Sequence, residues 1–179
     1  VTHIPALTEY EPDDVLRIAL QNFFQMRPLL GTPAEQADLD ALALWAEREH
    51  NAHYTAFCER QRGGFIRECH GDLHLGNIAR IDGEITIFDC IEFNDAMRWI
   101  DVMSEVAFTV MDLQDRGRGD LGQRFLNAYL EFTGDYAGLS VLRFYLAYRA
   151  MVRAKVARLR AVQLDASDAS RAVLDEYHG

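Results

Sequence analysis

Twenty-four consecutive residues, Cys69 to Glu92, constrain this chain more than any other stretch: Cys-His-Gly-Asp-Leu-His-Leu-Gly-Asn-Ile-Ala-Arg-Ile-Asp-Gly-Glu-Ile-Thr-Ile-Phe-Asp-Cys-Ile-Glu. Asp82-Gly83, set between two short apolar runs, is the strongest short-range hairpin signal, because a two-residue turn requires positive φ and these residues tolerate it. Such a turn fixes the register. Ile81 then faces Glu84, Ile78 faces Ile87, and Asn77 faces Phe88, so that Asp89 emerges beside Asn77. Two oxygen donors meet at the mouth of one hairpin, and a hard cation such as Mg²⁺ takes donors of this kind, keeping waters and substrate phosphates as its other ligands.

The rest of the chain bounds the setting. With 179 residues, 49% of them hydrophobic, it is long enough for one globular domain with a sizeable core. No run of about 18 apolar residues is present to span a bilayer. Its first residues, Val1-Thr2-His3-Ile4-Pro5, are not a secretory signal, so a cytoplasmic protein without a membrane partner is expected. A formal charge of −10 argues against nucleic acid and is compatible with a cationic substrate. Cys58, Cys69 and Cys90 form an odd set without a C-x-x-C pair, which reads as reduced, packed thiols rather than a disulfide framework or zinc site.

Helical signals dominate on both sides of the central stretch. Pro12, followed by Asp13 and Asp14, suits a first helical turn. Thr32, Pro33 and Glu35 form a capping box opening a second helix, expected to run beyond 25 residues towards Gly63-Gly64. Its His50 and His53 have helical metal-ligand spacing but no third ligand, and are expected at the surface or partly packed. Phe65-Ile66-Arg67 reads as a short strand, and Phe93 to Trp99 as irregular. The segment Ile100 to Met111 is apolar nearly all round, as for a helix inside a core. A helix ending at Gly134 follows, then a long basic helix from about Leu139 carrying Arg143, Arg149, Arg153, Lys155, Arg158 and Arg160. On an acidic chain its expected partners are the chain's own carboxylates. A last, separate helix is expected from about Ser167 to Tyr177. The expectation is a single domain, mainly α with a small β-hairpin (α+β): a helical segment 1–64, a central part 65–112, and C-terminal helices 113–179.

Within the central stretch, Asp72 precedes Asn77 by five residues, the spacing of the catalytic Asp and the metal-binding Asn in the kinase loop His-Arg-Asp-x-x-x-x-Asn. The constellation of His70, Gly71, Asp72, Asn77, a hairpin, and Asp89 after Ile87-Phe88 resembles the aminoglycoside phosphotransferase and choline kinase branch of the protein-kinase-like fold. More closely, Ile87 to Asn94, with Arg98, Asp101 and the segment Phe108 to Leu113, resembles the phosphotransferase-like module of bacterial proteins fused to a P-loop, gluconate-kinase-like domain, although no P-loop occurs here. The likeness in specific motifs covers roughly residues 65–155.

The resemblance implies a C-terminal kinase lobe that transfers phosphate from ATP to a small-molecule hydroxyl, with Mg²⁺ as cofactor. It makes Asp72 the catalytic base or hydroxyl-orienting carboxylate, and Asn77 and Asp89 the metal ligands. His70 becomes a loop-bracing residue, and Asp101, at the start of the apolar helix, a carboxylate that hydrogen-bonds the catalytic-loop backbone while also capping the helix. His74 and Glu92 are candidate substrate or phosphate contacts. Cys90-Ile91 stands where protein kinases have Phe-Gly, and Gly71 where they have Arg, so control by activation-loop phosphorylation is not expected. His70, Asp72 and His74 also form a His-x-Asp-x-His pattern seen in metal-dependent hydrolases, but Gly71 and Gly76 favour a loop over the extended strand that would align all three.

A nucleotide-covering N-terminal lobe with a phosphate-binding lysine is not legible upstream of Asp72, since Lys155 is the only lysine. The chain is therefore expected to be part of a longer protein, nearly inactive until that lobe joins it in cis or in trans. The alternative is a non-catalytic binding or scaffold module derived from the same fold.

Overall fold

The computed structural model describes residues 11–177, with side chains through Gln163, so the residues read for a secretory signal lie outside the described part. Helix α1 (Pro12–Met26) starts on its proline, with Asp14 Oδ2 accepting from the Glu11 amide at 3.2 Å. Helix α2 (Pro33–Ala52) starts on the expected capping box: Thr32 Oγ1 accepts from the Glu35 amide at 3.2 Å, and Glu35 Oε2 accepts from the Thr32 amide at 2.9 Å. The single long helix expected from Thr32 is two. It breaks at His53, and α3 (Tyr54–Arg62) continues from there. His50 is fully buried rather than superficial, stacked on Phe57 with Nε2 3.0 Å from the Pro12 carbonyl. Neither it nor His53 joins a metal-holding group among the described residues.

Strand β1 (Ile66–Glu68) follows, and the hairpin strands β2 (Ile78–Ile81) and β3 (Glu84–Ile87) have the expected register, Ile78 opposite Ile87 and Ile81 opposite Glu84. Asp82 and Gly83 take φ values of 51° and 92°, the two positive values a type I′ turn needs. The segment expected to be irregular holds a short α4 (Asp95–Arg98), and strand β4 (Trp99–Asp101) pairs antiparallel with β1. This second two-stranded ladder ties together the two ends of the segment 69–98, with the Cys69 amide donating to the Arg98 carbonyl at 2.8 Å.

Helix α5 (Val102–Asp115) runs through the centre. Met103 and Ala107 are fully buried, and α5 packs against α6 (Gly119–Thr133) and α7 (Leu139–Tyr177). Gly134, with φ 73°, closes α6 as expected. The two C-terminal helices expected are one continuous α7, and the reading of its basic residues is also corrected. Lys155 Nζ donates to Gln25 Oε1 at 2.9 Å, Arg158 to the Leu29 carbonyl at 2.8 Å, and Arg143 lies over the Trp45 ring. These three meet carbonyl groups and a ring face, whereas Arg149 acts electrostatically on the buried Glu105 carboxylate.

A buried ionic hub joins α3, α5 and α6. Arg60 donates from Nε and Nη2 to both oxygens of Asp101 at 2.7 Å, and from Nη1 and Nη2 to Asp135 at 2.7 and 2.9 Å. Tyr129 Oη donates to Asp135 at 2.8 Å and Tyr145 Oη to Asp101 at 3.2 Å. Burial disfavours the Arg60 charge, but the two aspartates override it and hold the guanidinium more firmly protonated than usual. No described helix is long and apolar enough to cross a membrane.

Candidate active site

The loop from His70 to Asn77 is built around its backbone. Gly71 has φ 85°, and a Cβ there would lie 2.7 Å from the Met97 carbonyl, so a side chain is excluded by both conformation and space. His70 bridges loop and hairpin. Its Nδ1 accepts from the Asp72 amide at 3.3 Å, which leaves the proton on Nε2 to donate to the Phe88 carbonyl at 2.8 Å. Beside it, the His70 carbonyl accepts from the Ile91 amide at 3.0 Å.

Asn77 is buried on a single 3₁₀ turn, Leu75–Asn77. Its Nδ2 donates to the Asp72 carbonyl at 3.0 Å and to Asp72 Oδ2 at 3.2 Å, so the amide oxygen is the atom it can offer a cation. The Asp72 carboxylate itself stays 39% exposed, open to a ligand. Across the ladder the Phe88 amide donates to the Asn77 carbonyl at 3.1 Å, placing Asp89 one residue beyond Asn77's partner. Asp89 is exposed and has φ 61°, a left-handed conformation uncommon outside glycine. One carboxylate and one amide oxygen are hard donors fitted to Mg²⁺ that is completed by phosphate oxygens. No group of three or more His, Cys, Asp or Glu able to hold a metal exists among the described residues.

His74 lies at the back of this site. Its Nε2 is 3.5 Å from Asp72 Oδ2, its Nδ1 accepts from the Gly76 amide at 2.9 Å, and its ring meets Phe108 edge-on. Burial pushes its pKa down against the pull of Asp72 and favours the neutral ring. Glu92 is exposed, and the contact recorded for it is with Cys90 Sγ at 4.0 Å, not with the loop. Cys90 is exposed as well, which corrects its reading as packed, whereas burial pushes the Cys69 thiol up to about 12.

Asp101 does not hold the loop as the resemblance implied. Its oxygens are taken by Arg60, by Tyr145 and by the Met103 amide at 2.8 Å, so it caps α5 and anchors the hub. The loop is held instead by residues further along α5. Glu105 accepts from the amides of Gly71 at 2.9 Å and Leu73 at 3.1 Å, Thr109 Oγ1 donates to the Leu73 carbonyl at 2.8 Å, and Asp112 accepts from the Leu75 amide at 2.8 Å. Their spacing of four and then three puts all three on one helix face. That polar stripe inside an otherwise apolar helix was the signal by which the sequence could have revealed them.

A cavity of about 280 Å³ opens between α1, the α4–β4 segment and α7. Trp99, Tyr145 and Tyr148 give it aromatic walls, and Asp14 and Asp95 line it as well.

Residues 9–145 match the model of the phosphotransferase enzyme family. Relatives 45% identical over 107 residues include uncharacterized proteins of Mycobacterium bovis and of two strains of Mycobacterium tuberculosis. The aligned part is 60% of this chain and 22% of each relative, so the chain spans about a fifth of their length. No solved structure matches the chain. With more than half its length matched, the chain belongs to the phosphotransferase enzyme family and has the architecture of the C-terminal lobe of the protein-kinase-like fold.

Proposed function

We propose that this chain is the catalytic lobe of an ATP-dependent phosphotransferase acting on a small-molecule hydroxyl. The observation that carries the reading is the Asp72 carboxylate, open to solvent on a backbone fixed on both sides, with Asn77 hydrogen-bonded to it and Asp89 set beside Asn77 by the hairpin register. Phosphoryl transfer asks a protein chiefly for positioning and charge neutralisation. Asp72 orients the acceptor hydroxyl and takes its proton. The Asn77 amide oxygen and the Asp89 carboxylate would hold Mg²⁺, which would supply charge neutralisation for the phosphates.

A nucleotide-covering lobe supplied in cis or in trans completes the enzyme in this reading, because a site with one or two protein oxygens would hold Mg²⁺ weakly without nucleotide. Titration calorimetry with Mg²⁺-ATP on the 179-residue chain and on the full-length protein tests it. Weak binding by the chain and tight binding with turnover by the full-length protein are expected. In the latter, Asp89→Ala abolishes metal-dependent turnover, and Asp72→Ala abolishes chemistry with nucleotide binding largely kept. A full-length protein that binds small hydroxylated molecules but turns over no ATP with any of them would leave a binding module instead.

A further inference from the structure

Helix α6 has two apolar faces, and the fold uses one. Gly122, Leu126 and Leu130 are buried on the side that packs against α5, and a Cβ on Gly122 would lie 3.4 Å from the Val110 carbonyl, so this face sits closely on the core. The other face carries Leu121, Phe125, Ala128 and Phe132, at intervals of four, three and four that align them along the helix. Phe132 is 91% exposed and Phe125 37%, and apolar surface set out at such a repeat marks an interaction face. Arg124 and Glu131 run along one edge of this stripe, both exposed. Two helical turns, about 10 Å, separate them, too far for an ion pair within the helix. Neither has an ion-pair partner among the described residues.

We propose that this face is a dimer interface, on which α6 packs antiparallel against α6 of a second copy of the chain, about a twofold axis near Leu126 and Asn127. The stripe is complementary to itself. An antiparallel pair on this axis sets Phe132 against Leu121 of the partner subunit and Phe125 against Ala128 of the partner subunit, then repeats both contacts in reverse, so each layer joins a large side chain to a smaller one. The charges fall into the same arrangement. In an antiparallel helix pair an edge meets the same edge of its partner, which brings Arg124 beside Glu131 of the partner subunit and Glu131 beside Arg124 of the partner subunit. Exposed pairs of this kind set orientation more than strength. A foreign partner would have to supply both patterns, and a second copy already carries them. Two helices about 22 Å long cover less than the ~1,200 Å² of a standard interface, so the dimer belongs to the weak class, with a Kd of ~10–100 µM. None of this depends on the phosphotransfer reading.

Sedimentation equilibrium of the 179-residue chain tests it, from ~1 to ~300 µM and in ~0.15 M salt, which screens the repulsion between copies of net charge −10. A monomer–dimer equilibrium is expected. Phe132→Asp should raise the Kd at least ~10-fold with urea unfolding unchanged, because the side chain it replaces is 91% exposed. Arg124→Glu and Glu131→Arg each bring like charges together at both ends of the interface, and each should raise the Kd about tenfold. Mixed in equal amounts, these two variants should form a heterodimer with a Kd within about threefold of wild type, since every like pair then becomes an opposite one. Ile85→Thr, on the exposed hairpin, should leave the dimer Kd unchanged. In the full-length protein Phe132→Asp should likewise shift dimer to monomer. A chain still monomeric at ~300 µM, or a Phe132→Asp variant that dimerises like wild type, overturns the interface. Mixed charge variants that associate no better than either alone overturn the antiparallel pairing. A full-length protein that stays monomeric while the chain dimerises overturns the dimer as the state of the longer protein.

Discussion

Asp89 combines a functional assignment with a conformational cost. A non-glycine residue at φ 61° is strained by up to about 1–2 kcal/mol, less for aspartate, whose short polar side chain tolerates this region better than alanine does. Asp89→Gly should therefore keep or slightly raise the unfolding free energy while removing Mg²⁺-dependent activity, and Asp89→Ala should lose about 1 kcal/mol as well as activity. Urea unfolding of both variants beside metal-dependent turnover checks this, and equal stability of the two would remove the strain argument. At the hub, removal of Arg60 leaves Asp101 and Asp135 buried without their cation, so Arg60→Leu should cost about 3–5 kcal/mol. The hub also sets an acid limit. Burial works to raise the Asp135 carboxyl, but Arg60 and Tyr129 override it and hold it below its ordinary value. A lowered folded value contributes stability above the unfolded carboxylate value of about 3.9, and loses it as pH falls through the folded one. Stability should decline below about pH 4 in wild type, and Asp135→Asn, already weaker at neutral pH, should show a shallower acid slope in denaturant titrations at several pH values. None of this was legible in Arg60 or Asp135 alone, because an arginine at the end of one predicted helix and an aspartate after another carry no sign that they meet.

The hairpin is the element the sequence specified best. Asp82-Gly83 and a period of two set its register without tertiary help, as Thr32 and Glu35 set the start of α2. What escaped was non-local or unmarked. The β1–β4 ladder pairs two three-residue strands from distant positions, too short for any alternation to show, and the break at His53 carries neither glycine nor proline. A two-stranded hairpin is marginal by itself, and this one leaves Ile85 70% exposed, with Ile81, Ile87 and Phe88 also exposed. Ile85 and Ile87 lie on one face of it and Ile81 and Phe88 on the other, and apolar surface so exposed invites association. Ile85→Thr should lower concentration-dependent self-association of the 179-residue chain, read by light scattering, with a change in unfolding free energy within about 0.5 kcal/mol. A loss well beyond that range would mean that Ile85 packs in the folded chain.

Across the whole molecule, the helical core and the site have different kinds of support. The core is largely apolar, with Phe57, Met103, Phe144 and Tyr145 interlocked between α3, α5 and α7 beside the buried Arg60 hub. The site is held by hydrogen bonds and by the short β1–β4 ladder, which makes residues 69–98 leave and re-enter the core at one point. Native-state hydrogen exchange under mild denaturant should therefore resolve two steps, with amides of β2 and β3 opening at a lower free energy than those of α5 and α6. A single shared isotherm would show that the site melts only with the core. An excursion closed at its base is also a natural unit of inheritance. Because its two stems meet side by side, the stretch could be exchanged between related proteins by cutting at Cys69 and Arg98, and the recipient core would need to supply little more than the matching polar stripe of Glu105, Thr109 and Asp112.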